Sequence, residues 1–206
     1  MKKYFYKIIT VLGIVSILLW QNVAWATIVV VDSYSETNAN KYYSVYSAQS
    51  IFGQCFQAPN NYTATSAKFY LAKSGLPTGT ASVYTSIAQG TCGTDGRPGG
   101  SSFIETASID VSTLGTSFAL QEFTFNDIFN FVSGTYYSVF ILYNGGDASN
   151  YVKIGYDDTT PTHAGNLFYY TTGWGVSAVQ DLSFYVYGND VVSMLTADAF
   201  QMGMAF

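Results

Sequence analysis

The sequence predicts an all-β chain, folded as two antiparallel sheets stacked in a β-sandwich of jelly-roll type. Three observations carry that prediction. Aromatic residues make up 17% of the chain, led by 18 Tyr and 15 Phe, while charged residues make up only 10%; Tyr, Phe, Val and Thr suit a pleated, half-buried surface. Roughly ten β-prone runs follow one another at short spacing, separated by Gly-, Pro- and Asn-rich turns, the signature of a sandwich or barrel. No run before the tail keeps a helical period.

Ile28–Asp32 opens the series as a strand, and the polar Ser33–Lys41 reads as a loop. Tyr42–Ala48 and Ile51–Ala58 are aromatic, β-prone runs, closed by the turn residues Pro59-Asn60-Asn61. Thr65–Lys73 alternates, with Ala67, Phe69 and Leu71 on one face and Lys68, Tyr70 and Ala72 on the other. Leu76-Pro77-Thr78-Gly79 is a tight turn, so Thr65–Lys73 and Thr80–Ile87 read as a hairpin-like unit. A Gly-rich loop (Ala88–Ser101) leads to strands at Ser102–Asp110 and Ala119–Phe125. Thr135–Leu142 (TYYSVFIL) is apolar on both faces, which predicts a central strand. Asn144–Asp147 is a turn, Tyr151–Tyr156 a strand and Asp157–Asn166 a loop. Leu167–Thr171 is a short strand, Thr172–Gly175 a turn, and Asp181–Tyr187 the closing strand. The segment 189–206 is an apolar tail with several helix formers and no turn signal.

Lys2, Lys3 and Lys7, an apolar run from Ile8 to Trp20, and Ala24-Trp25-Ala26 have the order of a secretory signal peptide cleaved after Ala26. Residues 27–188 are then the folded domain of a secreted, extracellular or cell-surface protein, with no membrane span in the mature chain. Cleavage lowers the formal charge by three, from −5 to −8, and leaves Trp174 as the sole tryptophan. So acidic a chain has no basic patch for phosphates, which argues against nucleic acid. Two cysteines in an oxidising compartment predict a Cys55–Cys92 disulfide.

Several segments resemble a recurring extracellular module. They are Asp32-Ser33-Tyr34-Ser35-Glu36, Gly53-Gln54-Cys55-Phe56, Ala67–Leu71 with Gly75–Gly79, Glu122–Phe125, Gly134–Tyr137, Pro161–Asn166, Trp174 and Asp181–Gly188. The module is similar to the jelly-roll domains of bacterial surface proteins of the choice-of-anchor type and to modules on phage particles. The resemblance implies a β-sandwich over nearly all of the mature chain and carries no established catalytic residues.

Residues 150–174 concentrate the candidate chemistry. Trp174, Tyr169 and Tyr170 form a candidate aromatic platform, on which the C–H face of a sugar ring would stack while Asn166 takes a hydroxyl. Asp147, Asn150, Asp157 and Asp158 are candidate oxygen ligands for a structural Ca²⁺, although their spacing is not that of an EF-hand loop. Asp157 and Glu122 are a candidate carboxylate pair for glycosidase chemistry, though acids elsewhere pair as easily, and His163 is a candidate base; none of them sits in a catalytic motif. The expectation is a non-catalytic binding or adhesion module for an extracellular glycan or cell-surface polymer. The alternative is a surface-layer, fibre or virion component that acts by self-association.

Overall fold

The computed structural model describes residues 26–99 and 103–190; the predicted signal peptide up to residue 25 and the tail beyond residue 190 lie outside them. The strands in chain order are β1 (Ile28–Tyr34), β2 (Lys41–Val45), β3 (Ile51–Gln57), β4 (Tyr62–Ser74) and β5 (Thr80–Ile87). Then follow β6 (Ile104–Glu105), β7 (Ile109–Asp110), β8 (Ala119–Thr124), β9 (Asn130–Phe131) and β10 (Tyr136–Leu142). The last are β11 (Tyr151–Asp157), β12 (Leu167–Tyr170), β13 (Trp174–Ser177), β14 (Asp181–Leu182) and β15 (Phe184–Asp190). Glu36–Asn38 and Val111–Thr113 are single 3-10 turns, whose N-terminal amides bond to the side chains of Ser35 and Asp110.

The strands form the two antiparallel sheets that the sequence predicts. The first runs β1-β15-β4-β11-β14, with β2 on β11 and β8 and β9 on β4. The second runs β13-β12-β3-β10-β5-β6, with β7 on β5. The long strands β3, β4, β5, β8, β10, β11 and β12 alternate between the sheets, as in a jelly roll. β4 and β5 are therefore not a hairpin. Gly75 and Gly79, at φ +66° and +93°, carry the chain across the edge from one sheet to the other. Local turn chemistry marks the reversal; the choice of partner strand is a tertiary matter.

The core lies between the sheets. Phe69, Ile154 and Phe184 face inward from the first sheet, and Phe56, Val139 and Ile141 from the second. At one end, four rings pass from sheet to sheet: Tyr156 lies 4.3 Å from Tyr43, Tyr43 4.7 Å from Phe52, and Phe52 6.1 Å from Tyr169. β10 is central, between β3 and β5. Its inward residues Tyr137, Val139 and Ile141 belong to the core. Its outward Phe140 is also buried, at 5% exposure, and so are Phe168 and Cys55 on β12 and β3. Something covers that outer face.

Candidate functional site: an aromatic trough on the outer sheet

Over Cys55 the cover is the Gly-rich loop after β5, whereas Phe140 and Phe168 pack among the rings of Tyr84, Phe103 and Trp174. The Cys55–Cys92 disulfide, with Cα atoms 5.4 Å apart, ties this loop to the outer face of β3. Three hydrogen bonds fix it further. The Gly93 amide donates to Asn166 Oδ1 (2.7 Å), the Ser138 hydroxyl to the Gly96 carbonyl (2.9 Å), and the Gln89 amide to the Arg97 carbonyl (2.9 Å). Gly96 has to be glycine, since a Cβ there would fall 2.2 Å from Cys55 Cβ. Within the loop, the Arg97 guanidinium grips Asp95 through two bonds of 2.7 and 3.0 Å.

Beside this loop the outer face stays open as a trough of about 250 Å³. Four rings line it: Trp174 of β13, Phe140 of β10, Tyr84 of β5, and Phe103 just before β6; Ile51, Leu142 and Pro98 complete the walls. Strand alternation explains the convergence, because residues paired across neighbouring strands share a face. Phe140 pairs with Gly53 on one side and Tyr84 on the other, Gly53 pairs with Phe168, and Tyr170 pairs with Trp174. Gly53 supplies no side chain, so the rings of Phe140 and Phe168 close over it. The rings then run as a line, Tyr84 stacked on Phe140 at 5.4 Å, Phe140 6.1 Å from Phe168, and Phe168 6.1 Å from Trp174. Tyr170 stands edge-on to Trp174 at 5.2 Å.

The rim differs from the floor. Trp174 is 39% exposed and Phe103 43%, whereas Phe140 is buried. The lining is apolar almost throughout. The lining side chains carry two polar groups, the Trp174 indole N–H and the Tyr84 hydroxyl, and that hydroxyl donates to Glu105 at 2.8 Å. Burial, and then the Glu105 carboxylate, push that phenol up to about 12, so it stays protonated.

The structure divides the residues singled out in the sequence. Trp174 lines the trough, from strand β13 rather than from the predicted turn, and Tyr170 stands beside it on the same face without lining the trough. Tyr169 does not. It is the neighbour of Tyr170 on a strand, so its ring points to the opposite face and packs on Phe52, under Gly175. Asn166 is fully buried, and its side chain anchors the loop at Gly93 rather than facing a ligand.

The four proposed oxygen ligands separate into pairs at the two ends of β11, which at 7 residues is about 20 Å long. Asp147 caps its own loop, accepting from the amides of Ser149 and Asn150 and from the Asn150 side chain. At the other end, Asp158 pairs with Lys41 at 2.5 Å. Asp157 is buried and accepts from the Tyr34 hydroxyl (2.7 Å) and the Thr159 and Thr160 amides. Burial pushes its carboxyl up, but these donors outweigh it and hold the group below the usual range. Among the described residues, no group of three or more His, Cys, Asp and Glu side chains is placed to share a metal ion.

His163 belongs to a buried polar network. Its Nδ1 accepts from the Gly165 amide (2.9 Å) and faces the Gln54 amide (3.2 Å), which leaves the proton on Nε2, 3.3 Å from Asp32. Gln54 also donates to Asp181, whose other oxygen accepts from the His163 amide. Burial raises the carboxyl of Asp181. The ring nitrogens thus tie the 158–166 loop to β1 and β3, and the His163 backbone amide ties it to β14. Glu122 bonds to Ser66 and pairs with Lys68, while Asp157 bonds to Tyr34, so the two carboxylates share no contact.

No protein-family model matches the chain, and no curated protein matches it. Ile51, Tyr84, Pro98, Phe103, Phe140 and Leu142 were not legible as a site in the sequence. Two signals do point to three of them: apolar residues in both phases of β10, which holds Phe140 and Leu142, and Tyr84 flanked on its face by Ser82 and Ser86 in β5.

Proposed function

We propose that this chain is a non-catalytic extracellular binding module, and that the trough on its second sheet binds a carbohydrate. The single observation that supports this most is the placing of Trp174, part-exposed at the rim of a concave aromatic surface on a rigid sheet. A sugar ring presents a C–H face to such a ring and keeps its hydroxyls toward water or toward the part-exposed Tyr170 beside Trp174. The signal-peptide pattern and the disulfide support an extracellular setting. Structural Ca²⁺ has weaker support, because the oxygen donors fall into two pairs already engaged in hydrogen bonds and an ion pair.

A glycan array with wild type and Trp174→Ala tests the reading. Specific glycan signals that vanish in a still-folded variant are the expected result. Wild type without any signal would overturn it. A second reading, a structural component that binds copies of itself, is favoured by one feature. β1 is an edge strand whose Ile28 and Val30 are 64% and 48% exposed, a template for pairing with another chain. Large assemblies in sedimentation, abolished by Val30→Lys, would support that second reading.

A further inference from the structure

We infer that the trough takes a quaternary ammonium group, carried as a substituent on the bound polymer. This rests on the reading of the trough as a binding site and names what its floor recognises. A sugar hydroxyl buried in the trough would need a hydrogen-bond partner, and the floor offers almost none. A quaternary ammonium needs none. It carries its charge under a shell of methyl groups and is held by the negative faces of aromatic rings.

The geometry meets that need from several directions. Tyr84 and Phe140 are nearly parallel, at 15°, while Phe103 stands at 90° to Phe140; Trp174 supplies a fourth ring. The Tyr84 hydroxyl donates to a carboxylate, which makes its ring more electron-rich and sets the negative charge of Glu105 one hydrogen bond beyond it. Competing cations are kept away. Arg97, the one basic residue of the neighbouring loop, is held by Asp95. The four lysines beyond residue 26, Lys41, Lys68, Lys73 and Lys153, all lie on β2, β4 and β11 of the other sheet. A chain of formal charge −5 adds a favourable long-range field.

The test is a titration of the full chain with choline, tetramethylammonium and 3,3-dimethyl-1-butanol, the last a neutral isostere of choline. Trp174 emission is the readout, isolated by subtracting the Trp174→Phe variant, and calorimetry runs alongside. The expected result is saturable binding of both cations, with the neutral isostere weaker by about tenfold. Glu105→Gln, an exposed change outside the core, is expected to weaken choline and leave the isostere unchanged. Equal binding of choline and the isostere overturns the inference, as does no binding of either. A protein that ignores choline yet still loses its glycan through Trp174→Ala refutes this inference alone; one that binds neither refutes both readings. Sedimentation with phosphatidylcholine vesicles, against phosphatidylethanolamine vesicles, separates a lipid source of the group from a polymer source.

Discussion

Replacing Gly53 by Ala tests the packing that builds the trough, and the sign of the effect is the informative part. Gly53 lies mid-strand with no positive φ, so its backbone accepts any residue. At an ordinary strand position, Gly→Ala would stabilise the protein by about 0.5–1 kcal/mol, by restricting the unfolded chain. Here the added Cβ would fall 2.3 Å from Phe168 Cζ, 2.5 Å from Phe140 Cβ and 2.6 Å from the Val139 carbonyl oxygen. None of these can withdraw freely. Phe168 is fully buried, Phe140 is stacked on Tyr84, and Val139 is fixed in the β10–β3 ladder. Relief has to open the sheet or push the rings outward, at a cost of about 1–3 kcal/mol. Urea denaturation followed by circular dichroism would show a lower midpoint at unchanged m-value, and the thermal midpoint would fall by about 2–4 °C per kcal/mol. A Gly53→Ala protein as stable as wild type, or more stable, would refute the account of why Phe140 and Phe168 are buried on the outer face.

Further outcomes concern the disulfide, the two tyrosines of β12 and the buried carboxylates. The double change Cys55→Ser/Cys92→Ser opens a loop with a sequence separation of 37, and chain entropy puts the loss at about 4 kcal/mol, measurable by the same denaturation. Tyr169→Ala removes a ring packed on the core and is expected to cost about 2 kcal/mol, whereas Tyr170→Ala is expected to weaken glycan binding with little change in stability. Asp157 has a folded pKa below its unfolded value near 3.9, so its contribution is present above that pH and is lost as pH falls through the folded value. The stability gap between wild type and Asp157→Asn should therefore be widest near neutrality and shrink in acid. Asp181, raised by burial, acts with the opposite sign, its cost appearing as pH rises above about 3.9.

Strand alternation made most of the fold legible. Ala67, Phe69 and Leu71 share the inward face of β4, and TYYSVFIL is the central strand that its two apolar phases imply. The disulfide followed from cysteine count and compartment. What escaped was pairing between distant strands: β4 and β5 belong to different sheets, and nothing in Leu76–Gly79 says so. The site suffered from the same gap. Proximity in sequence drew Tyr169, Asn166 and the acids at 147–158 into one candidate region, but a two-residue period sends Tyr169 and Tyr170 to opposite faces. A seven-residue strand likewise carries Asp147 and Asp157 to opposite ends of the sheet. Trp174 was legible as the lone tryptophan beyond residue 26. Its partners Tyr84, Phe103 and Phe140 come from segments that only the second sheet and the disulfide-held loop bring together.

Ligand bound over Trp174 in the trough of the second sheet would take the indole out of water. The most direct measurement is the emission of Trp174, as the wild-type minus Trp174→Phe difference, during titration with whichever glycan the array selects. A saturable blue shift, with the same midpoint as calorimetric binding, is the predicted result. Calorimetric binding with unchanged Trp174 emission would place the ligand elsewhere on the protein and rule out the trough as its site.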